Sequence, residues 1–204
     1  MGTAGADAPA RVGIFGGTFD PPHVGHVTVA RDVADALDLH EVWWMVAARS
    51  PFKTDRTSTP AVVRLELARA AAASDPRFRV RDDELRRGGV SYTVDTVRAL
   101  TEVHPHTDFH LIVGADQAAE LDRWHDAAVL LDLVTLVVMD RAGVDAGEVL
   151  PSVPGADRAL HVTVTPVPVS STEVRAAVRR GEDVGALLPE GVVDIVRGRG
   201  LYGT

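Results

Sequence analysis

Cysteine is absent from all 204 residues. Its absence excludes disulfide frameworks, thiolate zinc sites, iron–sulfur ligation and cysteine nucleophiles together, and is neutral on compartment. Long apolar runs are missing too. The longest, Ala127 to Met139, is interrupted by Asp132 and is too short to span a bilayer. The first ten residues, MGTAGADAPA, have no cationic start and no apolar core, so no secretory leader is expected. Ala6 stands where a myristoylation signal needs Ser or Thr. Positive charge is in deficit, with 21 Lys+Arg against 29 Asp+Glu and a net charge of −8. Broad nucleic-acid footprints are basic, so neither a nucleic-acid nor a membrane partner is expected, and the location expected is cytoplasmic. A small basic pocket for a phosphate ligand remains compatible with that total. The GxGxxG fingerprint and the Walker P-loop are both absent.

What is present is the composition of a globular protein, 46% hydrophobic and 25% charged, which excludes disordered and fibrous classes. The expected organisation is a disordered tail over 1–10 and a single domain over 11–204. Apolar runs of strand length alternate with helix-length periodic segments, the pattern of βαβ units. Strands are predicted at Arg11 to Phe15, Glu41 to Val46, Phe109 to Val113, Leu133 to Met139 and Ala159 to Thr165. Helices are predicted at Val24 to Leu37, Ala61 to Ser74, Val94 to Val103, Ala115 to Leu121, Thr172 to Arg180 and Val192 to Arg197. In the second of these, Val62, Leu65, Leu67, Ala68 and Ala71 form an apolar stripe beside Arg64 and Arg69. The fold class expected is α/β, a doubly wound parallel sheet of Rossmann-like type, with ligands at the carboxyl ends of its strands. Ala48 to Pro60 and Asp140 to Ala156 read as long loops. Trp43 and Trp44 read as packing or interface residues, which leaves a homo-oligomer open.

After the first strand comes GGTFDPPHVGH, Gly16 to His26. Gly16 and Gly17 let the backbone turn and approach a ligand closely. Pro21 and Pro22 stop the chain continuing as a strand, and a helix opens near His23 with unpaired N–H groups and a positive dipole end. His23 and His26, three apart, share a face of its first turn, a donor-rich pocket for phosphate oxygens. Two other readings stand beside this one: a glycine turn with incidental histidines, and a metal-binding pair, for which no third ligand is at hand. The histidines at 104, 106 and 110 read as a surface turn rather than a metal site. Further on, Ser170 with Glu173 forms a capping box that starts a helix, where Ser171 and Thr172 offer amides and hydroxyls and Arg175 a guanidinium one turn in.

The H-x-G-H of His23-Val24-Gly25-His26 resembles the first signature of the nucleotidylyltransferase superfamily, and VSSTEVR, Val169 to Arg175, resembles the second. They stand in order, about 145 residues apart. Within the superfamily the chain from about Arg11 to Gly203 is similar to the bacterial nicotinate-nucleotide adenylyltransferases. The supporting segments are Pro51-Phe52-Lys53, DDELRRGGVSYTVDTV from Asp82, IVGADQAAELDRW from Ile112 and LLPEGVVDIVRGRGLY from Leu187. One departure is Ser50-Pro51-Phe52-Lys53, where the family commonly reads Pro-Pro-His-Lys.

The resemblance implies transfer of AMP from ATP to nicotinate mononucleotide, with Mg2+ arriving on the ATP phosphates. A phosphate monoester is largely dianionic at pH 7, with a second pKa of about 6, so the nucleophile needs no general base. Catalysis must then come from alignment and charge stabilisation, for which His23, His26 and Arg175 are the expected groups. The resemblance gives His26, Arg175, Gly16, Gly17, Thr18, Ser170, Ser171 and Thr172 to ATP, with Gly114 and Asp116 toward its ribose or adenosine end. Asp116 would otherwise be a helix cap. To the acceptor go Thr18, His23 and Lys53 at its phosphate, Trp124 against the pyridine ring, and Tyr92 with Thr93 at its carboxylate. The alternatives are the same chemistry on nicotinamide mononucleotide or another phosphate ester, and a non-catalytic nucleotide-binding module.

Overall fold

The structure is a computed structural model that describes residues 9–48, 59–141 and 153–203. Both predicted long loops, and nearly all of the predicted tail, lie largely or wholly outside those residues. Six strands, β1 (Ala10–Gly17), β2 (Glu41–Val46), β3 (Phe78–Arg81), β4 (Thr107–Gly114), β5 (Thr135–Arg141) and β6 (Leu160–Val164), form one sheet. All of its pairings are parallel and the strand order is β3-β2-β1-β4-β5-β6. The register sets Ile14 between Trp43 on one side and Leu111 on the other.

Helices cover both faces: α1 (Val24–Ala36), α2 (Ala61–Ala72), α3 (Asp83–Arg87), α4 (Thr93–Val103), α5 (Ala115–Ala118), α6 (Ala127–Leu133), α7 (Ser171–Arg179) and α8 (Glu190–Gly198). Strand alternation sends Ile14 and Trp43 to a core beneath α4 and α6, and Phe15 and Trp44 to a core beneath α1, α2, α7 and α8. Strands covered on both faces favour apolar residues at successive positions, which is why the inner strands, β2, β4 and β5 above all, read as nearly continuous hydrophobic runs. No described helix is long and apolar enough to cross a membrane.

Several expectations need correction. Trp43 and Trp44 are 6% and 0% exposed, so they pack the two cores and present no interface. In α2, Val62 is 70% exposed while Arg64, read as the polar flank, is 1% exposed. The other stripe residues, Leu65, Leu67, Ala68 and Ala71, are buried as predicted, and Arg64 joins their face because its guanidinium is held by backbone carbonyls inside the fold. His110 is no part of a surface turn. It is buried in β4, with Nδ1 3.2 Å from the Asp108 carbonyl, while the His104 ring packs edge-on against Trp43. The strand predicted from Leu133 starts at Thr135, because Ala127–Leu133 is helical.

Strand order reverses between β1 and β4. In an open α/β sheet the crevice outside the carboxyl ends of the strands at such a reversal is where ligands bind. Here it is bounded by Gly16-Gly17, ending β1, and Gly114, ending β4.

Candidate active site

From β1 the chain runs through Thr18 to Pro22 and enters α1 with His23 as its N-cap, so the first turn of the helix opens on the crevice. The His23 N–H donates to His26 Nδ1 at 3.1 Å. That contact puts the proton of a neutral His26 on Nε2, where it can be donated. The two rings lie 3.7 Å apart. Behind them Phe19 stacks on Trp44 at 5.0 Å and meets His26 edge-on at 5.3 Å, an apolar wall that fixes the imidazole. His23 is buried, its Nδ1 has no hydrogen-bond partner among the described residues, and burial pushes its pKa down to about 4 against the opposing pull of Glu173. His23 is therefore a neutral imidazole near pH 7 and acts as a dipole, not a cation.

The second signature docks onto this loop. Ser170 caps α7, accepting from the Glu173 N–H at 3.2 Å and donating to its carboxylate at 2.8 Å, as its spacing predicts. From the same helix start, Ser171 Oγ donates to the Pro21 carbonyl at 2.9 Å. Arg175 Nη1 donates to the Asp20 carbonyl at 2.7 Å, and its Nη2 to Thr172 Oγ1 at 3.3 Å. A Cβ on Gly25 would lie 3.0 Å from His23 Nδ1 and 3.2 Å from Val169 Cγ1, so the glycine of H-x-G-H is where the two signatures touch. Sequence reading missed Asp20. Its carboxylate, 5% exposed, accepts from the Tyr202 hydroxyl at 2.7 Å and ties the end of the chain to the loop.

These contacts leave a cleft of about 520 Å³. It brings together Gly16, Gly17, Thr18, His23, His26, Gly114, Asp116, Ser170, Ser171 and Arg175. Thr172 does not line it; its hydroxyl braces Arg175 instead. Asp116 is not the cap of α5, a position held by Gly114, and its carboxylate folds back over that glycine. Among the described lining residues Arg175 is the one arginine or lysine. The rest of the anion-binding capacity comes from imidazoles, hydroxyls and helix-end amides.

A second cavity, about 140 Å³, lies on the other side of the end of β1 and shares Gly16, Gly17, Thr18 and Gln117 with the cleft. Its floor is Ile14, Met45, Leu111 and Val113, and its rim carries Thr93 and Trp124. Tyr92 does not line it: the ring packs on His125 at 4.6 Å. Lys53 lies outside the described residues. Glu84, Ser91, Thr96 and Gln117 line this cavity and were not foreseen. Glu84 sits on α3, a five-residue helix too short to show periodicity. Burial raises the Glu84 pKa, opposed by hydrogen bonds from Ser91 and Thr96. No group of three or more His, Asp or Glu able to hold a metal occurs among the described residues.

A doubly wound parallel sheet with a donor-lined cleft at its switch point, flanked by a second cavity of apolar floor and polar wall, defines a nucleotide-handling α/β protein. The cytidylyltransferase-like family model matches residues 14–177. A protein from Geobacillus kaustophilus named "Probable nicotinate-nucleotide adenylyltransferase" is 40% identical over 95% of this chain and 86% of its own length. One of the same name from Oceanobacillus iheyensis is 37% identical over 94% and 96%. Nicotinic acid mononucleotide adenylyltransferase from Plasmodium falciparum, complexed with NaAD, superposes with a TM-score of 0.75 at 17% identity, covering 94% of this chain and 97% of that one, a likeness of fold. The chain belongs to the nicotinate-nucleotide adenylyltransferases of the cytidylyltransferase-like family.

Proposed function

We infer that this chain transfers AMP from ATP to nicotinate mononucleotide, giving nicotinate adenine dinucleotide and pyrophosphate. One observation carries the inference: segments about 145 residues apart line a single cleft whose edge, Gly16 to Thr18, is shared with a second cavity suited to a flat ring. A phosphate oxygen of the acceptor attacks the α-phosphorus of ATP, the bond to the bridging oxygen of pyrophosphate breaks, and the electron pair leaves with pyrophosphate. The nucleophile is already ionised, so the protein's task is alignment and stabilisation of charge on the transferring group.

In this assignment the triphosphate lies across the start of α1. His26 donates from Nε2, Arg175, braced by Thr172, faces the departing pyrophosphate, and Ser170 and Ser171 complete the far wall. Gly114 and Asp116 face the nucleoside. Neutral His23, with Thr18 and the Gly16-Gly17 backbone, orients the attacking phosphate, joined by Lys53. The pyridine ring stacks on Trp124, and its carboxylate meets Thr93. Mg2+ enters as the ATP complex, held by phosphates and water. The described residues supply no carboxylate cage for it, so no step here is routed through the ion.

The test is pyrophosphate release from ATP with nicotinate mononucleotide, nicotinamide mononucleotide and no acceptor compared at equal concentration. Release dependent on nicotinate mononucleotide and weaker with the amide is the expected result. Release only with the amide would reassign the acceptor, and release with neither would leave a binding module.

A further inference from the structure

Arg64 is a buried cation whose hydrogen bonds, among the described residues, all go to neutral carbonyls. Its Nη1 donates to the Thr18 and Ala47 carbonyls, both at 2.8 Å, its Nη2 to Ala48 at 3.4 Å and its Nε to Thr59 at 3.3 Å. Burying a guanidinium without a paired carboxylate is costly, and filling the same volume with Met or Leu would cost less. Asp20 supplies opposing potential without a direct hydrogen bond to the guanidinium. Four carbonyls around one planar fork is a geometry that only Arg satisfies.

Those carbonyls belong to three separate stretches that meet at Arg64, two of which, at Thr18 and Ala47, line the acceptor cavity. Thr18 is on the phosphate-binding loop, Ala47 and Ala48 follow β2, and Thr59 precedes α2. The Ala47–Ala48 peptide is held at both ends, since its carbonyl accepts from Arg64 while its N–H donates to Ser91 Oγ at 3.1 Å. Ser91 in turn bonds Glu84, and Thr96 donates to Glu84 Oε1 at 3.0 Å. Thr18, Ala47, Ser91, Glu84 and Thr96 all line the smaller cavity. An unbroken chain of hydrogen bonds therefore runs from Arg64 around one side of it.

We propose that Arg64 is a positioning residue for the acceptor: it sets the phosphate loop at Thr18 against the Ala47–Ala48 peptide and so fixes the shape of the acceptor cavity, while leaving the ATP cleft to the two signatures. This rests on the assignment of the smaller cavity to nicotinate mononucleotide. Arg64→Lys keeps the charge but replaces a planar fork by a point donor that cannot span four carbonyls.

The experiment measures KM and equilibrium Kd for nicotinate mononucleotide and for ATP in the wild type, Arg64→Lys and Ser91→Ala. In Arg64→Lys the acceptor values rise roughly 10-fold, as expected for misplacing one substrate by a fraction of an ångström, and the ATP values stay within about 2-fold. Ser91→Ala frees the other end of the same peptide and raises the acceptor values about 3-fold, which tests the proposal even where Arg64→Lys fails to fold. Unchanged acceptor values in either folded variant, or equal losses for both substrates, overturn it, since a purely structural residue would lower the melting temperature without separating the two. A wild type that binds nicotinate mononucleotide yet never turns over counts against the reaction alone, and the Kd values then decide the role of Arg64.

Discussion

Replacing Gly25 by Ala adds one methyl group at the point where the two signatures meet. The new Cβ would lie 3.0 Å from His23 Nδ1, 3.2 Å from His23 Cε1 and 3.2 Å from Val169 Cγ1. Each neighbour must give by a few tenths of an ångström. Gly25 is the second residue of α1, so Ala recovers up to about 1 kcal/mol of helix propensity. Overpacking against the imidazole and Val169 costs about 1–3 kcal/mol. The net destabilisation is therefore about 0–3 kcal/mol, a fall in melting temperature of roughly 0–12 °C for a chain of this size. Activity should suffer far more if, as proposed, the displaced imidazole orients the attacking phosphate, and Val169 leads directly into the Ser170 cap. We expect kcat/KM to fall by about 10 to 10². Gly198→Ala, at a helical glycine whose added methyl meets nothing within 4 Å, is the control and should leave turnover unaltered. A folded Gly25→Ala protein with kcat/KM within twofold of wild type would refute the claim that His23 and Val169 are held in catalytic register by this contact.

On the proposed assignment His26→Ala removes a donor to the transferring group and Arg175→Ala one facing the departing pyrophosphate, and steady-state assays should show kcat lower by roughly 10² or more in each; an unchanged kcat takes that residue out of the mechanism. His23 has a folded pKa of about 4 against its ordinary 6.5, so the unfolded chain takes up a proton that the folded site refuses. Stability should therefore fall as pH drops from 6.5 toward 4, by about 2 kcal/mol between pH 7 and pH 5 from this group. Urea denaturation of wild type and His23→Gln measures it: the variant should lose that part of the slope, and an equal pH slope in both would contradict the neutral-histidine assignment. Lys53 is the one lysine in the sequence, so an amine-reactive label marks that side chain and the amino terminus alone. Nicotinate mononucleotide should slow its labelling several-fold; equal labelling with and without the acceptor would remove Lys53 from the site.

The sheet and its two outer signatures were legible because their signals are local. Parallel strands buried on both faces leave apolar runs, and a Ser170–Glu173 capping box marks a helix start without reference to the rest of the fold. The elements that were missed carry weak or ambiguous signals. β3, FRVR, is an edge strand with only Phe78 and Val80 apolar, and α3 has five residues. The run from Ala127 to Met139 is apolar on both sides of Val134 save for Asp132 and Thr135, so periodicity could not divide it there. In the site, residues on one signature or one turn could be paired from sequence. Asp20 with Tyr202, and Arg64 with Thr18 and Ala47, are brought together by the fold across 182, 46 and 17 residues, and no short-range pattern announces them. Arg64 was misplaced for the same reason: an arginine beside an apolar helical stripe reads as a solvated flank until backbone carbonyls are found around it.

The account turns on the joining of two nucleotides across the Gly16–Thr18 edge. Incubation with ATP labelled at the α-phosphorus and with nicotinate mononucleotide tests it in one tube. The label should pass into a dinucleotide containing nicotinate, with one unlabelled pyrophosphate for each dinucleotide formed. Label that stays in ATP, or that reaches AMP without the dinucleotide, would contradict it.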